Sequence, residues 1–74
     1  MPRGWRHWEL VVRALERLNC VVYDSDDYAV WISRANVYRR MIRKWWIPVT
    51  LERHVVASLR LDWDDYLRAL ADSA

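Results

Sequence analysis

Hydrophobic positions at the start of the chain recur at helical spacing. Residues 5–18 place their tryptophan, valine and leucine side chains on one side of a helical wheel. Glu9 and Arg13 stand four residues apart, in the order that stabilises a helix, and Asn19 is a suitable C-terminal stop. The pattern predicts an amphipathic helix that ends near Asn19.

Two short runs rich in β-branched and aromatic residues follow, with a polar segment between them. The runs cover residues 20–23 and 28–32, and the segment between them is Asp24-Ser25-Asp26-Asp27. Runs of this kind on either side of an Asp- and Ser-rich turn predict an antiparallel hairpin. The clustered carboxylates are also of the ligand type that Mg²⁺ prefers, but the Gly and Glu of an EF-hand loop are absent. Turn chemistry is therefore the better account of this segment.

Residues 34–46 fit two secondary structures. On a helical wheel their apolar and aromatic side chains occupy one half and their basic side chains the other, with Ser33 as a cap and Pro48 as a stop. Read as a strand, basic and apolar side chains alternate along both faces. The clean segregation favours the helix, with the strand as the alternative. Either geometry brings basic groups next to aromatic rings.

The C-terminal part of the chain predicts two helices. Residues 46–49 are compatible with an edge strand, after which Thr50 is a suitable cap for a short helix. Asp62 is a good N-cap for the last helix, with Asp65 completing a shortened capping box. The elements together predict an α+β fold, in which a small antiparallel sheet packs against an N-terminal helix and C-terminal helices.

Size and composition limit the class of protein. The chain has 74 residues, predicts a single domain over 1–74, and has no apolar run near the roughly 18–20 residues of a membrane span. One cysteine excludes an intrachain disulfide and predicts a reducing, cytoplasmic location. A chain this short buries only about 60% of its unfolded surface, so we expect a homo-oligomer, a dimer or a tetramer.

The composition is biased towards tryptophan and arginine, and the charges are segregated. The chain has six Trp and no Phe, eleven Arg against one Lys, and no Gln, which is compatible with a thermophilic source. Six indoles are hard to enclose in so small a domain, so some are expected at the surface. Residues 28–51 contain five basic side chains and no acidic one, whereas residues 62–74 contain four acids and one base. The sequence predicts a basic side and an acidic side.

The sequence offers little for catalysis. His7 and His54 fall in separate predicted helices, without cysteine or carboxylate neighbours at metal-ligand spacing. We expect His7 to be a polar helix residue and His54 to be partly covered. The single glycine excludes a glycine-rich loop that would hold phosphate. We therefore predict no enzymatic activity, no metal and no cofactor.

The central basic and aromatic segment indicates a nucleic-acid partner. A single strand presents phosphates, which attract Arg and Lys, and unstacked bases, which stack on Trp and Tyr. The predicted phosphate contacts are Arg34, Arg39, Arg40, Arg43 and Lys44. The predicted base contacts are Trp31, Tyr38, Trp45 and Trp46. The expected partner is single-stranded DNA, although nothing here separates DNA from RNA. The open alternatives are a solvated arginine face above a Trp-lined core, a basic helix lying on a membrane surface, and a protein-interaction module.

Two families resemble this chain. The aromatic hairpin with Tyr28 and Trp31, followed by the basic and aromatic block at 39–46, resembles the ThermoDBP-related proteins of hyperthermophilic archaea. Those are single-stranded DNA-binding proteins without an OB fold. The resemblance implies an archaeal source and oligomers that surround a strand with basic and apolar surfaces.

The order of elements is also similar to the HicA toxin family of compact RNA-cleaving domains. The similarity runs from the helix at 5–18 through two strands and residues 47–49 to residues 61–67. That family carries a Gly-Ser-His type motif where its second strand begins, and this chain has Asp26-Asp27-Tyr28 there. The resemblance implies the fold, whereas the missing histidine argues against ribonuclease activity. An RNA-cleaving domain is thus an alternative function.

Overall fold

The protein has an α+β fold, as predicted. The computed structural model describes the backbone of residues 5–24, 30–41 and 49–74, and the side chains of residues 7–23, 30–37 and 49–74. The described elements, in chain order, are α1 (Trp5–Arg17), β1 (Val21–Asp24), β2 (Val30–Arg34), β3 (Val37–Met41), α2 (Val49–Ser58) and α3 (Trp63–Ser73).

The strands form one antiparallel sheet in the order β1-β2-β3. In its register, Tyr23 of β1 lies opposite Trp31 of β2, and Trp31 lies opposite Arg40 of β3. The predicted pairing of the first two strands is confirmed. The turn between them, at residues 25–29, lies outside the described residues.

The preference for a helix over residues 34–46 is wrong where the structure describes this segment. Residues 37–41 form β3, and residues 42–48 lie outside the described residues. Ala35 has a positive φ of 53°, which lets the chain turn within two residues and return along β2. Pairing with the edge of β2 satisfies the backbone of this segment, and this gain outweighs the helical segregation of its side chains.

The residues predicted to begin or end helices can be compared with three helix ends in the structure. Asn19 adopts a φ of 65°, and the amide of Cys20 donates to the Leu15 carbonyl at 2.9 Å, which closes α1 as predicted. The Asp65 amide donates to Asp62 Oδ2 at 3.1 Å, which confirms the predicted cap of α3. The start of α2 was predicted wrongly, because the helix begins at Val49 and includes Thr50.

The core lies between the inner face of the sheet and the three described helices. α1 packs most closely against α3, and it also contacts β1, while α2 packs against α3 and β3. Val30 and Ile32 supply the sheet's part of the core. The buried apolar residues are Trp8, Val11, Ala14, Leu15, Cys20, Val30, Ile32, Val55, Val56, Leu59, Tyr66 and Ala69. Across the described ranges, none of the helices has the length and apolar character needed to cross a membrane.

Candidate nucleic-acid interface

The outer face of the sheet, opposite the helices, exposes aromatic side chains. Side chains alternate between the faces of a strand, so Val30 and Ile32 enter the core while Trp31 lies on the outer face. Trp31 is 44% exposed, and Tyr23, directly opposite it on β1, is 49% exposed. Val21 lies on the same face of β1 and is also 49% exposed. Val21, Tyr23 and Trp31 are therefore accessible on the outer face, whereas Ser33, on the same face of β2, is buried.

The register of β3 adds a basic position to this face. Residues directly opposite each other in an antiparallel pair share a face. Arg40 lies opposite Trp31, and Tyr38 lies opposite Ser33. The positions of Tyr23, Trp31 and Arg40 thus form one line across the three strands, which we call the outer row. Two of the predicted contact residues, Trp31 and Arg40, are brought together in it, and Tyr38 occupies the neighbouring line.

The same register separates two arginines that are adjacent in sequence. Arg39 lies opposite Ile32, which is fully buried in the core. Position 39 therefore belongs to the face that the helices cover, and position 40 to the outer face. Both arginines were predicted to contact phosphate, and their side chains lie outside the described ones.

Arg34, which was predicted to contact phosphate, makes hydrogen bonds within the protein. Its half-buried guanidinium donates from Nη1 to the Leu59 carbonyl at 3.1 Å and to the Arg60 carbonyl at 3.5 Å. These carbonyls belong to the two residues that follow α2, next to the partial negative charge of its C-terminus. Arg34 thus ties the end of β2 to the end of α2, and we leave it out of the interface. The remaining predicted contacts, Arg43, Lys44, Trp45 and Trp46, lie outside the described residues.

The described tryptophans differ in their surroundings. Trp8 is buried in the core. Trp63 is partly buried, with its ring 5.3 Å from that of Tyr66 and the Arg53 guanidinium 5.0 Å from its centroid. Only Trp31 among these three is exposed on the outer face. The sequence-based expectation that some indoles lie at the surface is confirmed at Trp31.

Tyr23 is the outer-face residue that the sequence reasoning missed. The sequence places it in a strand, and its spacing from Val21 puts both residues on one face. Its position opposite Trp31 depends on the register of the hairpin, which a one-residue shift would change. The sequence therefore shows an aromatic residue in a predicted strand, but it does not show that this residue lies opposite Trp31.

A polar cluster joins the three described helices. Glu52 of α2 is 3% exposed, and its carboxylate accepts from the Tyr66 hydroxyl of α3. The His7 Nε2 of α1 lies 3.2 Å from Oε2 and 3.3 Å from Oε1 of the same carboxylate. We call these residues the Glu52 cluster. Among the residues described, no buried side-chain nitrogen or oxygen lacks a hydrogen-bond partner, so the cluster is a satisfied polar link.

The described histidines and cysteine form no recognisable catalytic arrangement. His54 is exposed, not partly covered as expected, and Cys20 is a buried free thiol. Burial raises the pKa of the Cys20 thiol, and the nearby positive charge of Arg34 opposes this shift. The thiol is therefore kept protonated and is a poor nucleophile. In the part of the chain that the structure describes, no group of three or more His, Cys, Asp or Glu could hold a metal ion.

Comparison of the chain with protein families, with curated proteins and with solved structures gives no match. The two family resemblances drawn from the sequence remain predictions.

Proposed function

We propose that this protein binds single-stranded DNA without strong sequence preference, through the outer face of its sheet. The observation that supports the proposal is the exposed Trp31 at the centre of the face, with an aromatic neighbour on one strand and a basic position on the other. Aromatic rings stack on any base, and arginines attract any phosphate, so this combination favours binding without base readout.

The energetics require both kinds of contact. A stacked base contributes about 1–3 kcal/mol, so stacking on Trp31 and on one further aromatic ring supplies on the order of 2–6 kcal/mol. Micromolar binding corresponds to about 8 kcal/mol. Phosphate contacts must supply the difference, and Arg40, Arg43 and Lys44 are the proposed donors. We assign no catalytic step to the protein.

We also propose that the binding form is a homo-oligomer in a reducing, cytoplasmic compartment. Exposed apolar side chains on the C-terminal helices, at Val49 and Leu67, support self-association. Cys20, which is free and buried, is compatible with a reducing environment. Size-exclusion chromatography with light scattering tests the first point, and a 9.0 kDa species at tens of micromolar would contradict it.

Fluorescence anisotropy with a labelled oligo-dT tests the proposed activity. Each phosphate neutralised on a single strand contributes about −0.7 to the slope of log Kobs against log salt, so contacts from three cations predict a slope of about −2. The affinity should then fall about 15-fold between 50 and 200 mM salt. A duplex of equal length is the control for base access, and oligo-rU shows whether RNA is also bound. No binding of oligo-dT at low salt, or binding that ignores salt, would refute the proposal.

A further inference from the structure

The outer row indicates the path that a bound nucleic-acid strand takes across the sheet. Across the sheet, the row presents the ring of Tyr23, then the ring of Trp31, and then the position of Arg40. Neighbouring strands are about 4.8 Å apart, so the two aromatic residues are close enough to contact neighbouring nucleotides of one strand.

We propose that Tyr23 is a base-binding residue, which forms with Trp31 a two-ring platform for two adjacent unpaired bases. The nucleic-acid strand then crosses the sheet from β1 to β3 and places a phosphate near Arg40. This inference rests on the proposed function, and it specifies the minimum ligand as two neighbouring bases with their phosphates. It also adds a residue that the sequence reasoning did not assign.

The described side chains favour this direction over a path along the strands. Two residues further along β1 from Tyr23 lies Val21, which has no ring. Two residues further along β2 from Trp31 lies Ser33, which is buried and has no ring. Within the described side chains, a strand running along β1 or β2 therefore meets one aromatic ring, whereas a strand crossing them meets two.

The charge of the sheet supports a nucleic acid as the occupant of this face. The row leads from the exposed rings towards β3, where position 40 is an arginine, and Asp24 follows Tyr23 on β1 at the other end of the row. A phosphate is attracted to the basic end of the row at position 40. A single-stranded nucleic acid can stack its bases on the two rings and place a phosphate near the basic position.

Substitutions on β1 test the role of Tyr23. Removing its ring in Tyr23→Ala should weaken oligo-dT binding about 5- to 150-fold, the loss expected for one stacked base. Tyr23→Phe keeps the ring and should bind within about 2-fold of the wild type. Val21→Ala is the matched control, because Val21 lies on the same strand and face with the same 49% exposure. It should leave the affinity unchanged, and circular dichroism melts check that each variant folds.

Oligonucleotides with abasic positions test the two-base platform. Three strands of equal length and phosphate number carry one thymine, two adjacent thymines, or two thymines separated by three abasic positions. For the wild type, the adjacent pair should bind at least about 5-fold more tightly than the single thymine. The separated pair should show no gain beyond the statistical factor of about two. In Tyr23→Ala the advantage of the adjacent pair should disappear.

The outcomes separate this inference from the proposed function. If the wild type binds oligo-dT but Tyr23→Ala binds equally well, or if adjacent and single thymines bind alike, the two-ring platform is wrong and the broader proposal stands. If the wild type does not bind oligo-dT, both are wrong. If Tyr23→Ala changes the oligomer mass in light scattering and leaves DNA affinity intact, this face joins copies of the chain, and the platform is again wrong.

Discussion

The Glu52 cluster makes a sharp prediction about stability. Replacing Tyr66 with Phe removes one hydroxyl from a fully buried ring and leaves the ring's packing in place. The lost contact is the hydrogen bond to the Glu52 carboxylate, and hydrogen bonds to charged groups contribute about 1.5–3 kcal/mol. Since a 74-residue domain has a free energy of unfolding of about 4–11 kcal/mol, the loss should be a large part of the total.

Urea unfolding followed by circular dichroism at pH 7 measures this effect. For a domain of this size, an m-value of about 1 kcal/mol/M turns the expected loss into a decrease of about 1.5–3 M in the midpoint. Tyr23→Phe is the matched control, because it makes the same chemical change at an exposed ring. Its free energy of unfolding should stay within about 0.5 kcal/mol of the wild type.

A double-mutant cycle with His7→Ala shows whether the cluster acts as one unit. Both His7 and Tyr66 bind the same carboxylate, so their effects should be non-additive by at least about 0.5 kcal/mol. If Tyr66→Phe costs no more than Tyr23→Phe, the cluster does not stabilise the fold, and our account of the three-helix link is wrong.

Three further predictions concern single sites. Arg34→Gln should lower the free energy of unfolding by about 1 kcal/mol, whereas Arg68→Gln, which loses only an exposed pair with Asp65, should change it by less than about 0.5 kcal/mol; equal urea midpoints would contradict this. Arg60 has a φ of 60°, which glycine adopts without strain, so Arg60→Gly should raise the free energy of unfolding by about 1 kcal/mol. A urea midpoint below that of the wild type would refute this prediction. Because burial raises the pKa of the Cys20 thiol, the unfolded chain loses that proton at lower pH than the folded one. Stability should therefore fall as the pH rises from the unfolded to the folded pKa, and urea midpoints across that range should fall less steeply in Cys20→Ala.

The local features of this fold could be read from the sequence. The Asp62 cap and the stop at Asn19 depend on contacts within one turn of a helix, and the structure contains both. The β1–β2 pairing was also predictable, because two apolar runs enclose a short polar segment.

The features that depend on distant partners could not be read in this way. The β2–β3 pairing is different, because its partners lie only 3–11 residues apart, and it was missed since the helical segregation of residues 37–41 hid the strand. The contact of His7 with Glu52 spans 45 residues, and it forms only when α1, α2 and α3 have packed. Arg34 was predicted to contact phosphate because its charge is visible in the sequence, whereas the carbonyls that it binds are not.

The sequence shows the side-chain chemistry of the candidate interface but not the register that arranges its residues. Trp31 and Arg40 were both predicted to be contact residues from their side-chain chemistry. That they are direct neighbours, that position 39 belongs to the other face, and that Tyr23 completes the row all follow from strand register. The register of a hairpin depends on the length and type of its turn. The chemistry of single side chains does not show it.

The central claim is that an exposed indole in the middle of the sheet holds the bases of a single strand. Side-by-side titration of labelled oligo-dT with the wild type and with Trp31→Ala, at 50 mM salt, tests it most directly. We predict that the variant keeps its fold and salt dependence and binds about 5- to 150-fold more weakly. Equal affinities for the two folded proteins would contradict the claim.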